Sequence, residues 1–410
     1  MDAGGNPSGA KTLHRAELLI GLGGIAPIRD AGLVLDVTGR IVDAGLLADL
    51  GSAVDDVADH QILMPGVLNS HVHMTDANIA RPVPGGRGLV AWVQELLGSR
   101  RENGTADGAT IASVLERMAG LGTVAIGEVV NDRSTLDGIR RSGMRCRYIH
   151  ELLAFPEERA AALLASALDD LHDENAIAVA LGLHAPYSVS AELHRRATEW
   201  SRANDRNLFE HLAEDPDERE LYMTGSGPWR ALLEILGAWP ENWRAPGMSP
   251  IAYLDRLGVV DSRYVAVHLA DATAEEIRLL AARGARAILS PRSNLHITGL
   301  FPPIDEIVAS GMRFALGTDG RGSSPTIDVF DEAATILEHC DTLPPGRLLE
   351  ALTTDAAAIL QMPDLGSFSI GNVPGLISVE IPETGNDLAR LERAIISDGR
   401  RVGIRMKGEG

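Results

Sequence analysis

Lysine is the residue that this chain most lacks. Only two of its 37 basic residues are lysines, Lys11 and Lys407, and both lie in terminal segments. Any chemistry that needs a lysine in the middle of the chain is therefore excluded.

Cysteine, positive charge and long apolar runs are also scarce. Two cysteines in 410 residues suit a reducing cytoplasm, where we expect the protein. No apolar run approaches the roughly 20 residues that a membrane span needs. The net charge of −20 argues against binding to nucleic acid or to an anionic membrane. We therefore expect a small molecule as the partner, and the sequence leaves a homodimer open.

What the chain does have is a pair of histidines, His71 and His73, that closes the apolar run 62–70. Side chains two residues apart in a strand point to the same face, so both imidazoles can bind one metal ion. His211, His268 and Asp319 each close another apolar run.

For each histidine alone, a structural role is the simpler interpretation, and only the set of four residues His71, His73, His211 and Asp319 predicts a metal site. Three imidazoles and one carboxylate suit Zn²⁺ or Fe²⁺ better than Mg²⁺ or Ca²⁺, which prefer oxygen ligands. The sequence therefore predicts one Zn²⁺ (or Fe²⁺) per chain, which would lower the pKa of a bound water toward neutrality.

Short β-like runs alternate with helical stretches from residue 71 to about residue 360. The predicted strands end at residues 71, 129, 152, 184, 211, 268, 290 and 318. Eight β/α units predict a (β/α)₈ barrel of the TIM type, whose active site forms at the carboxyl ends of the strands. A doubly wound open sheet is the alternative, but no glycine-rich phosphate turn follows the first strand.

The chain ends predict a second unit. We expect a flexible tail over residues 1–11, a small β-sandwich domain from residues 12–65 plus 366–410, and the barrel over residues 66–365. An insertion at 225–250 carries three of the five tryptophans. It is either a hydrophobic cluster under a long loop or part of a lid.

Two further residues are candidates for catalysis. Glu214, three residues after His211, can move protons on the substrate side of the metal, although acids are also common at helix N-termini. His268 can orient the attacking water or stabilise negative charge, and its alternative is a core histidine.

Other polar residues lie at strand ends or in the loop after the first strand, where they are candidates for substrate contacts. For each, a structural role is the alternative. They are Arg81, Arg87, Glu128, Glu151, His184, Tyr187, Arg292 and Asn294. In an acidic protein, Arg81 and Arg87 are the residues that we expect to hold a substrate carboxylate.

The set formed by Pro65-Gly66, His71-x-His73, His211-x-x-Glu214, His268 and Gly317-Thr318-Asp319 resembles the amidohydrolase superfamily, in its mononuclear deaminase and chlorohydrolase branch. Binuclear members bridge their metals with a carboxylated lysine on strand four, and no predicted barrel strand here contains lysine. Segments 85–97, 184–188, 225–230 and 246–254 are similar to aminodeoxyfutalosine deaminases, which act on an adenine nucleoside carrying a benzoate.

The resemblance implies a metal-dependent hydrolase that removes ammonia from a purine-like ring. It implies that Glu214 protonates a ring nitrogen, that Asp319 accepts a proton from water and that His268 steadies the attacking oxygen. A different class of function, a non-catalytic scaffold protein, is the alternative. Scaffold proteins related to this family usually lose metal ligands, and all four candidate ligands are present here.

The chain departs from the family pattern at three places. Met74-Thr75-Asp76 replaces a Leu-Glu pair after His73, Gly320 stands where Ser is common, and segment 374–378 lacks an Ala-Asp pair. The first two departures touch the pocket, so they leave the substrate open. Displacement of chloride or an alkylamine from a triazine, attack on a pterin and opening of a cyclic amide remain alternatives.

Overall fold

The computed structural model describes residues 10–21, 24, 26–51, 53–170, 173, 176–382 and 387–404. The strands are β1 (Thr12–Leu19), β2 (Ile28–Leu35), β3 (Ile41–Leu46), β4 (Asp56–Pro65), β5 (Val67–Val72), β6 (Thr123–Val130), β7 (Arg145–Leu152), β8 (Ile177–Leu183), β9 (Leu208–Leu212), β10 (Tyr264–His268), β11 (Arg286–Leu289), β12 (Phe314–Leu316), β13 (Leu376–Glu380) and β14 (Arg400–Ile404). The helices are α1 (Leu89–Asn103), α2 (Gly108–Gly120), α3 (Leu136–Ser142), α4 (Ala160–Asp170), α5 (Ala191–Ala203), α6 (Pro216–Thr224), α7 (Pro228–Ile235), α8 (Pro250–Leu257), α9 (Ala274–Ala282), α10 (Pro291–Ile297), α11 (Ile304–Ala309), α12 (Phe330–His339), α13 (Pro345–Leu352), α14 (Thr354–Ile359) and α15 (Leu388–Ser397).

Strands from the two chain ends form one six-stranded sheet. Its order is β14-β13-β4-β1-β2-β3, in which β13 pairs antiparallel with β4. Leu19, Leu33 and Leu63, one from each of three neighbouring strands, are buried in one cluster with Phe368. The prediction of a β unit built from both chain ends is confirmed, whereas its exact boundaries stay a prediction.

The predicted N-terminal tail lies almost wholly outside the described residues, which begin at Ala10. At its inner end, the backbone N–H of Lys11 donates to Oδ2 of Asp55 at 2.8 Å. Residues 405–410, at the end of the predicted β domain, also lie outside the described part of the chain.

The second sheet contains the eight barrel strands in sequential order from β5 to β12, and each neighbouring pair is parallel. The predicted (β/α)₈ barrel is therefore confirmed. Strands β7 and β10 have the predicted bounds. The apolar run before His71 is divided, because residues up to Pro65 pair in the terminal sheet and Val67 begins the barrel.

Side chains and close backbone contact bring the last barrel strand against the first. The amide of Asn69 in β5 donates to the hydroxyl of Thr318 at 2.8 Å and accepts from its backbone N–H at 2.9 Å. A Cβ atom on Gly317 would lie 2.6 Å from the backbone nitrogen of His71, so only glycine permits this approach. The contact places Asp319 next to His71 across the closure.

The insertion at 225–250 contains α7 and packs over the carboxyl end of the barrel. Trp229 stacks on Tyr187 with ring centroids 3.6 Å apart, and Trp239 and Trp243 contact the ring of Phe155. The tryptophans of the insertion thus belong to a hydrophobic cluster, and whether the insertion also acts as a lid stays a prediction. Across the part of the chain that the structure describes, no helix is both long and apolar enough to span a membrane.

Candidate active site

The five strand-end residues singled out in the sequence come together at one end of the barrel. Nε2 of His71 and Nε2 of His73 each lie 3.5 Å from Oδ1 of Asp319. Ligand atoms of His71, His211 and His268 also lie within 4.8 Å of one another. The arrangement offers one ion several nitrogen ligands and a carboxylate.

Main-chain contacts fix the orientation of two of these imidazoles. Nδ1 of His73 lies 3.1 Å from the carbonyl oxygen of Val129, and Nδ1 of His211 lies 2.7 Å from that of His184. Because a carbonyl oxygen only accepts, each Nδ1 carries the hydrogen and each Nε2 keeps its lone pair. Both rings are therefore in the tautomer that a metal ion at Nε2 needs.

The third imidazole, that of His71, has no such orienting hydrogen bond in the described part of the chain. Among the described residues, neither ring nitrogen of His71 makes a hydrogen bond, although both are shielded from solvent. Burial lowers the pKa of His71, of His73 and of His211, the last to about 4, so these rings are neutral at pH 7. A neutral buried imidazole without a partner is costly, and coordination to a metal would satisfy it. The donor set thus fits Zn²⁺ or Fe²⁺.

Hydrogen bonds orient the carboxylate of Asp319. Its Oδ2 lies 2.6 Å from the hydroxyl of Ser293 and 3.0 Å from that of Ser323, and Oδ1 accepts the backbone N–H of Gly320 at 2.7 Å. Burial opposes ionisation, but the neighbouring imidazoles outweigh it, foremost that of His71 with Nε2 3.5 Å from Oδ1, and hold the pKa of Asp319 well below its usual range. The ionised form of Asp319 is therefore favoured.

Strained backbone marks the ends of three barrel strands. Ala213, His268 and Asp319 have φ values of 50°, 80° and 62°, in the left-handed region that favours glycine. Each such residue costs on the order of 1–3 kcal/mol and persists only where its surroundings enforce it. The strain lies beside the histidine cluster, as is typical of functional sites.

Glu214 lies beside the histidines, and its Oε2 is 3.6 Å from Nε2 of His268. Burial raises the pKa of Glu214 well above its usual range, and the charges of Asp319, Glu218 and Asp215 raise it further. Burial therefore favours the protonated form of Glu214, which can donate its proton to a bound ligand.

Asn294, a predicted substrate contact, lies instead behind His268. It is fully buried, and its amide nitrogen lies 3.2 Å from Nδ1 of His268. Since an amide nitrogen only donates, Nδ1 accepts and the ring hydrogen is on Nε2, which is the atom nearer Glu214. Asn294 thus orients His268.

A second group of closely spaced acidic and imidazole groups contains Glu151, His184 and His211. Oε1 of Glu151 lies 3.3 Å from Nδ1 of His211, and this Nδ1 already donates to the carbonyl oxygen of His184. A protonated nitrogen has no lone pair for a metal. This geometry does not provide a second metal site, and Glu151 and His184 form part of a cavity wall.

The cavity has a volume of about 560 Å³ and ends at the histidine cluster. Such a volume lies within the range of roughly 300–1,000 Å³ that small-molecule sites occupy. Leu153 and Leu236, 44% and 56% exposed, lie at its mouth. Most of the remaining wall is apolar and includes Leu89, Trp92, Val93, Leu96, Phe155, Trp229, Leu232 and Leu233.

Three of the eight predicted substrate contacts line this cavity, namely Glu151, His184 and Tyr187. Nδ1 of His184 lies 2.7 Å from the hydroxyl of Ser188, which fixes the ring within the wall. The three predicted contacts are thus available to a ligand in the cavity.

The predicted arginine contacts are placed elsewhere. Arg81 and Arg87 are exposed and do not line the cavity, and Arg87 pairs with Glu95 at 2.6 Å. Nη1 of Arg292 lies 3.2 Å from Oδ2 of Asp331. These side chains bind neighbouring protein groups or face solvent, and none of the three is part of the cavity wall.

Glu128 is also absent from the described cavity wall. It is fully buried, and its two carboxylate oxygens accept the backbone N–H of Met74 at 3.2 and 3.0 Å. Burial raises the pKa of Glu128 well above its usual range. The side chain therefore supports the turn that follows His73.

Sequence reasoning missed two arginines that line the cavity. Arg100 lies on α1 and binds Asp76, whereas Arg159 is exposed and pairs with no acid in the described part of the chain. Neither arginine follows a strand end directly, so the pattern that found the other candidates does not find them. Asp76 was noted only as a departure from the family pattern.

Comparison with family models assigns residues 62–402 to a model described as the amidohydrolase family. The chain belongs to the amidohydrolase family. The matched region begins in β4 and ends in β14, so it includes the whole barrel and part of the terminal sheet. The resemblance inferred from the metal-ligand pattern is therefore confirmed.

Individual proteins are similar to this one over most of the chain. The aminodeoxyfutalosine deaminase of Deinococcus radiodurans is 28% identical over 357 residues, 82% of each chain. The 5′-deoxyadenosine deaminase of Methanopyrus kandleri is 24% identical over 388 residues, 88% of this chain and 84% of that one. An adenosine deaminase from Xanthomonas campestris, solved with bound zinc, has a TM-score of 0.77 and 22% identity, covering 97% of this chain and 90% of its own.

Proposed function

We propose that this member of the amidohydrolase family removes ammonia from an aminated purine nucleoside by hydrolysis. The observation that carries the proposal is Glu214, a buried proton donor beside neutral histidines at the inner end of the cavity. Attack of water on an amidine carbon needs an acid for the ring nitrogen and a means of activating the water. The similarity to deaminases of three nucleosides supports the same reaction.

We infer that His71, His73, His211 and Asp319 hold one Zn²⁺, or Fe²⁺, per chain. When bound, the ion lowers the pKa of a water molecule and so supplies a nucleophile at neutral pH. The unpartnered ring of His71 and the fixed tautomers of His73 and His211 support this ligand set. The zinc in the structure of the Xanthomonas deaminase favours zinc over iron.

The residues around the cluster account for each proton. Water adds through its oxygen to the ring carbon that bears the amino group, while one of its protons passes to Asp319. Glu214 donates its proton to the adjacent ring nitrogen, and His268 donates a hydrogen bond from Nε2 to the attacking oxygen. The proton on Asp319 passes to the amino group, the carbon–nitrogen bond breaks and ammonia leaves. Glu214 recovers a proton from the added oxygen, which remains as a carbonyl.

The cavity wall indicates what the nucleoside carries. We propose that Phe155, Trp229 and Leu236 accommodate an apolar substituent on the sugar, and that Arg159 binds an anionic group at its end. Arg159 is exposed at the cavity and has no acidic partner in the described chain, so its charge is available. This favours a nucleoside like aminodeoxyfutalosine, with Arg159 in the role that the sequence suggested for Arg81 and Arg87.

The test is ammonia release by zinc-loaded protein from a substrate panel. It contains aminodeoxyfutalosine, 5′-deoxyadenosine, adenosine, adenine, a pterin, a chlorotriazine and a cyclic amide. We expect ammonia from the nucleosides, and a kcat/KM for aminodeoxyfutalosine about tenfold or more above that for adenosine, on the scale of one charged hydrogen-bonded pair. Chloride release or ring opening without nucleoside deamination would assign the alternative activity instead.

A further inference from the structure

Two positions at which the sequence departs from the family pattern lie against each other. A Cβ atom on Gly320 would lie 3.2 Å from Oδ2 of Asp76 and 3.4 Å from Cβ of His73. A side chain at position 320 would therefore press on the carboxylate of Asp76. Gly320 leaves the space that Asp76 occupies, so the two departures form one local arrangement.

Asp76 in turn holds Arg100. Nε of Arg100 donates to Oδ1 and Nη2 donates to Oδ2, each at 2.8 Å, and the side chain of Asp76 is only 3% exposed. Two parallel hydrogen bonds fix the plane of a guanidinium as well as its position. The buried carboxylate of Asp76 thus fixes the guanidinium of Arg100.

The third guanidinium nitrogen of Arg100, Nη1, does not bind Asp76. No acceptor in the described chain binds Nη1 of Arg100, whose side chain is 32% exposed and lines the cavity with Thr75 and Gly320. Since Nε and Nη2 are directed to buried Asp76, Nη1 is the donor open to a ligand. Asp319 lines the same cavity.

Charge decides which kind of acceptor suits this donor. Asp76 neutralises Arg100, and Asp319 and Glu151 lie near enough to act on it electrostatically. Because Asp76 already neutralises Arg100, the pair attracts an anionic group only weakly, whereas an uncharged oxygen can still accept a hydrogen bond from Nη1. Arg100 therefore differs from Arg159, which has no acidic partner in the described part of the chain.

We propose that Arg100 is a specificity-determining residue that donates from Nη1 to a sugar hydroxyl of the substrate, and that Asp76 and Gly320 position it. The inference rests on the proposed function, because the sugar is the part of a nucleoside next to the reacting ring. The preferred substrate is then a nucleoside that carries its 2′- and 3′-hydroxyls, rather than a free base or a 2′- or 3′-deoxy analogue.

The main test compares adenosine with 2′-deoxyadenosine and 3′-deoxyadenosine. We expect wild-type protein to favour adenosine over at least one deoxy analogue. Arg100→Met should raise KM for adenosine about tenfold, leave kcat within about threefold and abolish that preference, because it removes one charged hydrogen-bond donor. Arg101→Met is the matched control, since Arg101 is the exposed neighbour on α1 and its Nε binds the carbonyl of Leu97.

Two further variants test the positioning. Gly320→Ser should displace Asp76 and raise KM for adenosine, with a smaller effect on the deoxy analogue. Arg100→Met alone leaves a buried carboxylate without its partner, which can prevent folding. The double variant Asp76→Asn/Arg100→Met removes both charges and should show the same loss of preference.

The outcomes separate this inference from the proposed function. If wild-type protein releases no ammonia from any nucleoside, both are overturned. If it deaminates adenosine and the double variant retains the wild-type preference between adenosine and its deoxy analogues, only the assignment of Arg100 is wrong. Metal content of Arg100→Met and of the double variant should equal that of wild type, since Arg100 and Asp76 lie outside the proposed ligand set.

Discussion

The hydroxyl of Ser293 donates to Oδ2 of Asp319 over 2.6 Å, although the two residues follow different barrel strands. Ser293 lies in α10, after β11, and Asp319 follows β12. The hydroxyl of Ser323 lies 3.0 Å from the same oxygen and 2.8 Å from that of Ser293. The two serines thus engage Oδ2 and leave Oδ1 directed to the histidines.

Ser293→Ala should lower metal affinity by about tenfold, because groups that orient a ligand typically contribute 10–100-fold. We expect kcat at saturating zinc to fall as well, since Asp319 also accepts a proton. Zinc affinity measured against a competing chelator is the readout. Ser324→Ala is the control, because its buried hydroxyl binds the carbonyl of Thr326 at 3.2 Å. Equal losses in both variants would contradict a role through Asp319.

His73→Ala should abolish binding of the single zinc ion and with it the activity, because two imidazoles on one strand supply much of the chelate. Metal that binds only the folded chain raises the melting temperature. We therefore expect a chelator to lower Tm of wild-type protein and to leave that of His73→Ala unchanged. His339→Ala, at an exposed histidine on α12, should behave as wild type. One equivalent of zinc retained by His73→Ala would contradict the ligand set.

Glu214→Gln should keep the metal and lose about 10²–10⁴-fold in kcat, the usual contribution of one general acid or base. The amide has nearly the shape of the carboxyl but cannot deliver a proton to the ring nitrogen. Glu220→Gln, at an exposed position on α6, is the control. A near-normal kcat for Glu214→Gln would assign the proton transfer to another group.

The barrel and the convergence of the strand-end histidines on Asp319 could be predicted from the sequence because both depend on local patterns. Apolar runs give the strands, and parallel strands of a barrel bring their carboxyl ends to one face. The approach of His211 and Asp319 to His71 can therefore be predicted without knowing the conformation of any loop. Strands β7 and β10 begin and end at the predicted residues, which shows how sharply such runs define a strand.

Substrate contacts were less predictable, because loops decide which polar side chains enter the cavity. Arg87 lies in the loop after the strand that carries His71 but pairs with Glu95. Arg100 belongs to a helix whose periodicity says nothing of Asp76, 24 positions earlier in the chain. Only the folded chain brings Arg100 and Asp76 together, and the absence of a side chain at Gly320 leaves room for the carboxylate of Asp76.

Arg159→Met should raise KM for aminodeoxyfutalosine by about tenfold or more, the scale of a lost charged hydrogen-bond pair. It should scarcely change KM for 5′-deoxyadenosine, which offers no anionic group. Arg87→Met should leave both values unchanged, since Arg87 is bound to Glu95 away from the cavity. A selective effect of Arg87→Met instead would restore the first assignment from the sequence.

Glu276, on the first turn of α9, provides a prediction about stability and pH. Burial opposes its ionisation, but hydrogen bonds from Arg219, Ser249 and Thr273 and the charge of Arg219 outweigh this and lower the pKa of Glu276 to about 2. A carboxyl whose pKa falls on folding stabilises the folded state above its unfolded pKa of roughly 4.5 and loses this contribution as the pH falls toward 2.

Glu276→Gln should therefore lower the free energy of unfolding by about 1–2 kcal/mol at pH 7, a value discounted because the side chain of Arg219 is 28% exposed and partly screened. The difference from wild type should shrink steadily between about pH 4.5 and pH 2, where Glu276 becomes protonated. Urea unfolding at a series of pH values measures it. Glu275→Gln, at the exposed neighbouring position, should cost only a few tenths of a kcal/mol. A pH-independent difference for Glu276→Gln would mean that lost packing, and not the ionised carboxylate, accounts for the stability.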